Sequence, residues 1–387
     1  MIAIKILWGV FVFIIFEAMV GYPLSLLALD KLYGRRKHKK QQDAEPTVAI
    51  MVVAHNEEKV IGEKLENLMQ LDYPADKLEI IVASDFSTDQ TNQIVEDFIA
   101  AHPDRKILLH KSVKHMGKTN AQNEAQEKCT SEILIMTDAN AMLDKRTVRE
   151  LTASFADENV AYVTGQLKYV NTGDSKTADS EGFYWKLDLM CRRIESDIQT
   201  ITAGNGAIYA VRNRDYVKIA PIECHDSSFP VLYALQKKRA LYNPEAVAYE
   251  KAGEVDQDEF KRKVRMNRRI LEEILPSPKI LNVFAYRWFS YFYFGHRTCR
   301  YLLWLAHLMA LVLNIPLAFT GLFWQVTLAL QVLFYLIAIL GWITKAGSRL
   351  VRIITYYCMT VLAQWKGVFN IVTGRVKPVW EKAESTR

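Results

Sequence analysis

The sequence predicts an α/β protein, a doubly wound nucleotide-binding sheet set between N-terminal and C-terminal transmembrane helices. Three observations lead there. Between Pro46 and Ala141 short apolar runs alternate with amphipathic stretches, the pattern of strand–helix units that feed a parallel sheet. The stretch from Ile4 to Leu29 is almost continuously apolar, long enough to cross a bilayer. After Pro276 the composition turns apolar and aromatic again.

Residues 1–30 are expected to form a retained membrane anchor, because they lack the early basic region and small-residue cleavage site of a signal peptide. A basic flank follows in residues 31–45, and the positive-inside rule places it, with the domain behind it, in the cytosol. Residues 46–275 then read as one domain, with a nucleotide-binding half over 46–141 and a second half over 142–275. Strands are predicted at Thr47–Ala54, Leu78–Ala83, Lys106–His110 and Glu132–Thr137. Helical spacing marks Glu57–Gln70, Gln90–Ala101 and Lys118–Lys128, the second preceded by the capping run Ser87-Thr88-Asp89. Past Val160 the regularity fades into a strand-like Ala161–Val170, a polar loop over Asn171–Ser180 and a helical stretch from Glu181 to Gln199.

The C-terminal part is expected to hold an interfacial helix in 276–300, its aromatics over Val283–Phe294 interleaved with Arg287 and followed by His296, Arg297 and Arg300. Residues 301–343 read as a membrane hairpin, and 344–387 as an interfacial or membrane helix, holding Gln364 and Lys366, with a basic tail. Glu17 is costly in lipid and is expected to face another helix.

The chain has 387 residues, half of them hydrophobic, and a formal charge of +6. The basic residues bunch at 34–40 and 261–269, which suits phosphate groups or anionic lipid and leads to membrane lipid, not nucleic acid, as the expected partner. The five cysteines form no C-x-x-C pair, so neither a disulfide framework nor a zinc site is indicated. No internal repeat is visible.

In open α/β sheets ligands sit at the carboxyl ends of strands. Three predicted strands end in Val53-Ala-His-Asn-Glu-Glu58, Ser84-Asp-Phe-Ser-Thr-Asp89 and Asp138-Ala-Asn140. With Gly117-Lys-Thr-Asn-Ala121, Ala203-Gly-Asn-Gly-Ala207 and His225-Asp226, this order resembles glycosyltransferase family 2 from about Thr47 to Arg269. Membrane-bound members include synthases of exopolysaccharide, cellulose, hyaluronan and poly-N-acetylglucosamine.

The resemblance implies a GT-A fold and a nucleotide-sugar donor, with a uridine diphosphate sugar as the family-weighted expectation. Asp85 would bind the donor nucleotide, with Ala54, Glu57 and Lys118 near the same pocket. Asp138 would bind a divalent cation, Mg or Mn, bridging the donor diphosphate. Asn140 stands where the family often has a second carboxylate and offers only an amide oxygen. Asp226 aligns with the general base that deprotonates the acceptor hydroxyl, preceded by His225 where the family often has an acid. Gly204 and Asn205 fall in the diphosphate and acceptor region. Arg262, Arg265 and Arg269 recur at spacings that a helix would place on one face, and Met266 stands where processive relatives carry a Trp. The implied reaction is inverting transfer to a glycan or lipid-linked acceptor in envelope synthesis at a bacterial inner membrane, with export subunits as candidate partners. A donor-binding subunit without turnover is the alternative from another class.

Each residue also has a plainer reading. Asp85 and Asp89 could cap the following helix, Asp138 could be a turn residue, and Asp226 a solvated carboxylate. The helix at Lys261–Arg269 could face anionic lipid. Gly117-Lys-Thr119 lacks the earlier glycine of a phosphate-binding loop. His55, His110, His115 and His225 show no ligand spacing, and Phe183, Tyr184 and Trp185 suit core packing better than an acceptor platform.

Overall fold

The computed structural model describes residues 1–33, 38–170, 176–251, 256–344, 348–376 and 378–379. The chain divides into two compact units, one of residues 1–34, 173–191 and 254–376, the other of residues 35–172, 192–253 and 377–387.

In the first unit α1 (Ile2–Phe16), a π-helical turn (Glu17–Gly21) and α2 (Tyr22–Tyr33) make one continuous apolar helix. Glu17 is buried, and the Tyr291 hydroxyl donates to its Oε1 at 3.3 Å. The acid thus does face another helical segment, as its cost in lipid requires.

The second unit is built on an eight-stranded sheet in the order β3-β2-β1-β4-β7-β6-β8-β5. β1 (Val48–Ala54) is buried along its whole length and lies parallel to both β2 (Leu78–Ser84) and β4 (Ile133–Asp138). A strand covered on both faces needs a continuous apolar run rather than alternation, and Val48–Ala54 supplies one. β3 (Lys106–Lys111) extends this parallel half. The crossovers run through α3 (Ile61–Met69), α4 (Thr91–Ala101) and α5 (Lys118–Gln126). Ile61, Leu65 and Leu68 of α3 pack into the sheet's main core cluster. These elements follow the predicted runs to within a few residues at each end.

The other half is mixed. Beyond the two-residue β5 (Met142–Leu143) come α6 (Thr147–Ala153), β6 (Val160–Tyr169), α7 (Lys176–Ile198), β7 (Ile208–Arg212), α8 (His225–Leu235) and β8 (Arg239–Glu250). β7 is antiparallel to β4 and β6, β6 is parallel to β8, and β8 pairs antiparallel with β5. The expected polar loop Asn171–Ser180 lies outside the described residues up to 175, and α7 begins at Lys176. Residues of α7 through Cys191 belong to the first unit, and those from Arg192 on to the second.

Back in the first unit, α9 (Asp256–Met266) ends before Arg269, so the three arginines do not share one continuous helix. The stretch expected to form one interfacial helix is a series of short helices at Val283–Tyr286 and Trp288–Phe292, interrupted at Arg287 (φ 54). α10 (Leu303–Ala318) and α11 (Leu322–Thr344) form the expected apolar pair, followed by α12 (Arg349–Val372). Among the described residues two helices, Ile2–Tyr33 and Leu322–Thr344, are long and apolar enough to cross a membrane, and three are if Trp288–Tyr301 and Leu303–Ala318, bent by 62°, form one span. His307 ties α10 to its neighbours, with ring nitrogens 2.9 Å from the Tyr335 hydroxyl and 2.7 Å from the Tyr357 hydroxyl. In apolar surroundings each of these groups needs such a partner.

Candidate active site

The parallel register assembles the site. Ala54 pairs with Ser84 and Val53 with Asp138, so His55, Asp85 and Asp138 emerge from neighbouring strands at one edge of the sheet. Residues far apart in sequence are brought together by three in-phase strand ends.

Asp85 is fully buried. Its Oδ1 accepts the Met116 N–H at 3.1 Å, its Oδ2 accepts the Gly117 N–H at 2.9 Å, and the His115 imidazole lies 2.9 Å away. The carboxylate therefore holds a loop rather than the start of α4. Asp89 closes the turn ahead of that helix, its Oδ1 accepting from the Thr91 N–H at 3.0 Å, while Gln90 stands at the N-cap without a side-chain cap bond. Gly117 adopts φ 97 and packs against the Pro378 carbonyl so closely that a Cβ would collide with it, so both backbone and space require glycine. Ala54 packs its side chain in the core and uses its carbonyl for the Asp85 N–H at 2.8 Å. Glu57 is buried, its N–H bound to Thr91 Oγ1 at 2.8 Å.

His55 and His115 stack beside Asp85, ring centres 3.9 Å apart and planes 13° from parallel. Candidate ligand atoms of the three residues lie within 4.8 Å of one another, a grouping the sequence spacing did not show. One metal cannot lie in the planes of two parallel rings. His55 Nδ1 is moreover 2.7 Å from the Asp85 carbonyl oxygen, to which it donates. The cluster reads as a wall, held by the hydrogen bonds of Asp85 and His55 and by the stacked rings.

The second focus is Lys118, the first residue of α5. Its ammonium contacts Asp138 Oδ1 and donates to the Gly206 carbonyl at 3.1 Å. Burial alone would lower its pKa, but the charges of Asp138 and Asp226 outweigh that and hold it above the usual lysine value. Asp226 sits in the first turn of α8, where the helix dipole favours a carboxylate. Its backbone carbonyl accepts the Gly204 N–H at 2.7 Å. A Cβ on Gly206 would stand 3.5 Å from Asp226 Oδ2 and 3.8 Å from Lys118 Nζ, so both charged groups face the same loop. Gly204 is required because a Cβ there would strike the Tyr162 hydroxyl. Asn205 shapes the loop through its N–H to Thr164 Oγ1 at 2.9 Å and its Oδ1 from the Ala207 N–H at 3.0 Å.

His225 is buried, with Nδ1 2.9 Å from Gln122 Oε1 and Nε2 3.1 Å from the Tyr216 hydroxyl. Burial, reinforced by the Lys118 charge, pulls its pKa down to about 3. It is a neutral anchor under the helix start.

Asn140 is buried, and its Nδ2 donates to Glu250 Oε1 at the end of β8. Because an ionised carboxylate only accepts, it fixes the amide orientation and leaves Asn140 Oδ1 as the available ligand atom. Asp138 and Asn140 thus offer oxygen donors suited to a hard divalent cation, and the Lys118 ammonium shows that the position accepts positive charge. Lys64, 0% exposed on α3, bonds Thr137 Oγ1 at 3.1 Å and the Ala141 carbonyl. Burial lowers its pKa to about 7, against the opposing pull of Asp138.

Glu250, Lys64 and the partners of His225 escaped the sequence reading. Glu250 lies 110 residues from Asn140 and leaves no local signal. Lys64 did leave one, as a charge on the apolar face shared by Ile61, Leu65 and Leu68. Arg262 and Arg269 belong to the other unit, where their Nε atoms donate to Glu259 and Glu272, each at 2.7 Å. Arg265 and Trp185 are also assigned to that unit. The side chains of Phe183 and Tyr184 lie outside the described residues.

Residues 49–219 match the family profile described as Glycosyl transferase family 2. Among curated relatives, the probable glycosyltransferase YdaM of Bacillus subtilis (strain 168) is 28% identical over 172 residues, 44% of this chain and 40% of the relative. The beta-monoglucosyldiacylglycerol synthase of Synechocystis sp. (strain ATCC 27184 / PCC 6803 / Kazusa) is 35% identical over 111 residues, 29% of this chain and 23% of the relative. The matches span less than half of these relatives' own lengths. Among solved structures, the mannosyltransferase PcManGT from Pyrobaculum calidifontis, in complex with GDP-Man and Mn2+, superposes with a TM-score of 0.73 at 21% identity, covering 96% of this chain and all of that one. That likeness shows the fold. The mixed sheet, the profile match and the superposition agree that residues 49–219 form a domain of the glycosyl transferase family 2 type, with the GT-A fold.

Proposed function

We propose that the chain is a membrane-bound, inverting glycosyltransferase that moves a sugar from a nucleotide-sugar donor to a glycan or lipid-linked acceptor. The observation that carries this reading is the placement of Lys118, whose ammonium touches Asp138 and the Gly206 carbonyl and lies within the field of Asp226. A candidate cation ligand, a glycine-rich loop and a candidate base converge there on one lysine.

In this reading the donor nucleotide lies against the Asp85 wall, with its diphosphate toward Lys118. A divalent cation, Mg or Mn, held by Asp138 and Asn140 supplies charge neutralisation to the leaving diphosphate. Asp226, whose carboxylate meets no hydrogen-bond donor among the described residues, accepts the proton of the acceptor hydroxyl. The hydroxyl oxygen forms the new bond to the anomeric carbon as the bond to the diphosphate oxygen breaks, and the nucleoside diphosphate leaves from the opposite face. The configuration inverts. Lys118 moves from Asp138 to the diphosphate oxygens.

The apolar helices Ile2–Tyr33 and Leu322–Thr344 support an integral membrane protein. The basic residues after the first helix support a cytosolic catalytic unit at a bacterial inner membrane. A uridine diphosphate sugar and a growing envelope glycan, passed to export subunits, are the family-weighted substrates. A lipid-linked acceptor taking a single sugar is favoured by Met266, 61% exposed where processive members carry a stacking Trp, and by the diacylglycerol named for the Synechocystis relative.

The test is hydrolysis or transfer from UDP-, GDP- and dTDP-sugars by detergent-purified full chain with Mn2+. Metal-dependent turnover lost in Asp226→Asn and Asp138→Ala supports the proposal and names the donor. Donor binding without turnover, unchanged in Asp226→Asn, overturns the base assignment and favours a donor-binding subunit.

A further inference from the structure

Beneath the Asp138–Asn140 turn lies a lysine that the proposed chemistry does not use. Lys64 is buried completely, and its ammonium reaches Thr137 Oγ1 at 3.1 Å and the Ala141 carbonyl. These two residues bracket the turn, one just before Asp138 and the other just after Asn140. Both acceptors are neutral. Burying a cation against neutral partners costs several kcal/mol, and an apolar side chain would pack among Ile61, Leu65 and Leu68 at no such cost. Three residues along the same face of α3, Asn67 Nδ2 donates to the Leu143 carbonyl at 3.0 Å, and Asn67 Oδ1 accepts the Leu143 N–H at 2.8 Å. Residues 137–143 are therefore gripped from one helix face at both ends.

We infer that Lys64 is a positioning residue for the candidate cation site, fixing through its two hydrogen bonds the backbone that presents Asp138 and Asn140. The inference rests on the proposed role of Asp138 as a cation ligand. It makes a prediction opposite in sign to the charge effect, because removing a buried positive charge near the site would by itself tighten cation binding. A loss of affinity on removing Lys64 identifies the hydrogen bonds, rather than the charge, as what matters.

The experiment titrates Mn2+ into detergent-purified full chain and follows the electron paramagnetic resonance signal of free Mn2+, in wild type, Lys64→Met, Asn67→Ala and Asp138→Ala. Methionine keeps the volume and removes the donors. The expected result is Mn2+ affinity weaker by about tenfold in Lys64→Met, the lower end of what loss of a ligand-orienting contact costs. Asn67→Ala should shift the same way by about threefold, with the thermal midpoint of Lys64→Met unchanged or raised. Under turnover the KM for Mn2+ should rise more than kcat falls. Mn2+ binding in Lys64→Met as tight as in wild type or tighter overturns the inference. If Lys64→Met does not fold, unchanged affinity in Asn67→Ala overturns it. A wild type that does not bind Mn2+, or Asp138→Ala that still does, instead overturns the role of Asp138 on which the inference stands.

Discussion

Two carboxylates at the ends of the strands that flank β1 have opposite surroundings. Asp85 accepts two backbone N–H groups, with an imidazole 2.9 Å away, around a fully buried side chain. Asp138 is about a quarter exposed and meets a movable lysine ammonium, and Asp226 faces the same lysine across a glycine loop. The first is a structural wall built at folding. The second is a poised cleft in which two carboxylates share one lysine. Substitutions at the wall should therefore register as stability, and substitutions in the cleft as activity.

The largest effect that would sharpen this contrast is in the cleft. Asp226→Asn should lower kcat by about 10³-fold, as loss of a general base does, with an unchanged melting curve. Loss of folding instead would put Asp226 in the wall.

At the wall, Asp85→Ala leaves the Met116 and Gly117 N–H groups without their acceptor and should cost about 3 kcal/mol of stability, measured by denaturant unfolding of the purified chain. A change in donor KM without loss of stability would break the contrast.

Acid should act on the anchor beneath the cleft. His225 has its pKa pulled down to about 3 in the folded chain from a usual value near 6.5, so the unfolded chain binds the extra proton between those values. Its contribution is fully present above about pH 6.5 and is lost as pH falls toward 3. Between pH 7 and pH 4 that amounts to about 3 kcal/mol, and a neutral replacement such as His225→Gln should flatten this part of the profile.

The smallest effects come from the loop after Asp85. Asp89→Ala removes the acceptor of the Thr91 N–H and should cost about 1 kcal/mol. Phe86 holds φ 56, a backbone region unfavourable for a bulky side chain by about 1–2 kcal/mol. Phe86→Gly should therefore raise the thermal midpoint, and a fall would show that the Phe86 side chain contributes more than its strain costs.

The sequence by itself determined the parallel half of the sheet, since the runs at Val48–Ala54, Leu78–Ser84 and Ile133–Asp138 write their burial into local composition, and helical spacing marks the crossovers between them. It also determined which residues end those strands, so Asp85, Asp138 and Asn140 were legible as one edge. The two-residue β5 and the five-residue β7 left no comparable period, because they are too short to write one. Asp85 carries the same letters whether it caps a helix or holds a loop. Only the tertiary structure decided that its oxygens meet Met116 and Gly117 while Asp89 accepts the Thr91 N–H in the turn ahead of the helix. Only packing brought Glu250 to Asn140 and Lys64 under the turn. The physical reason is that strand and helix periods are set by nearest neighbours, whereas the partner of a buried charge is set by which distant backbone the folded sheet delivers to it.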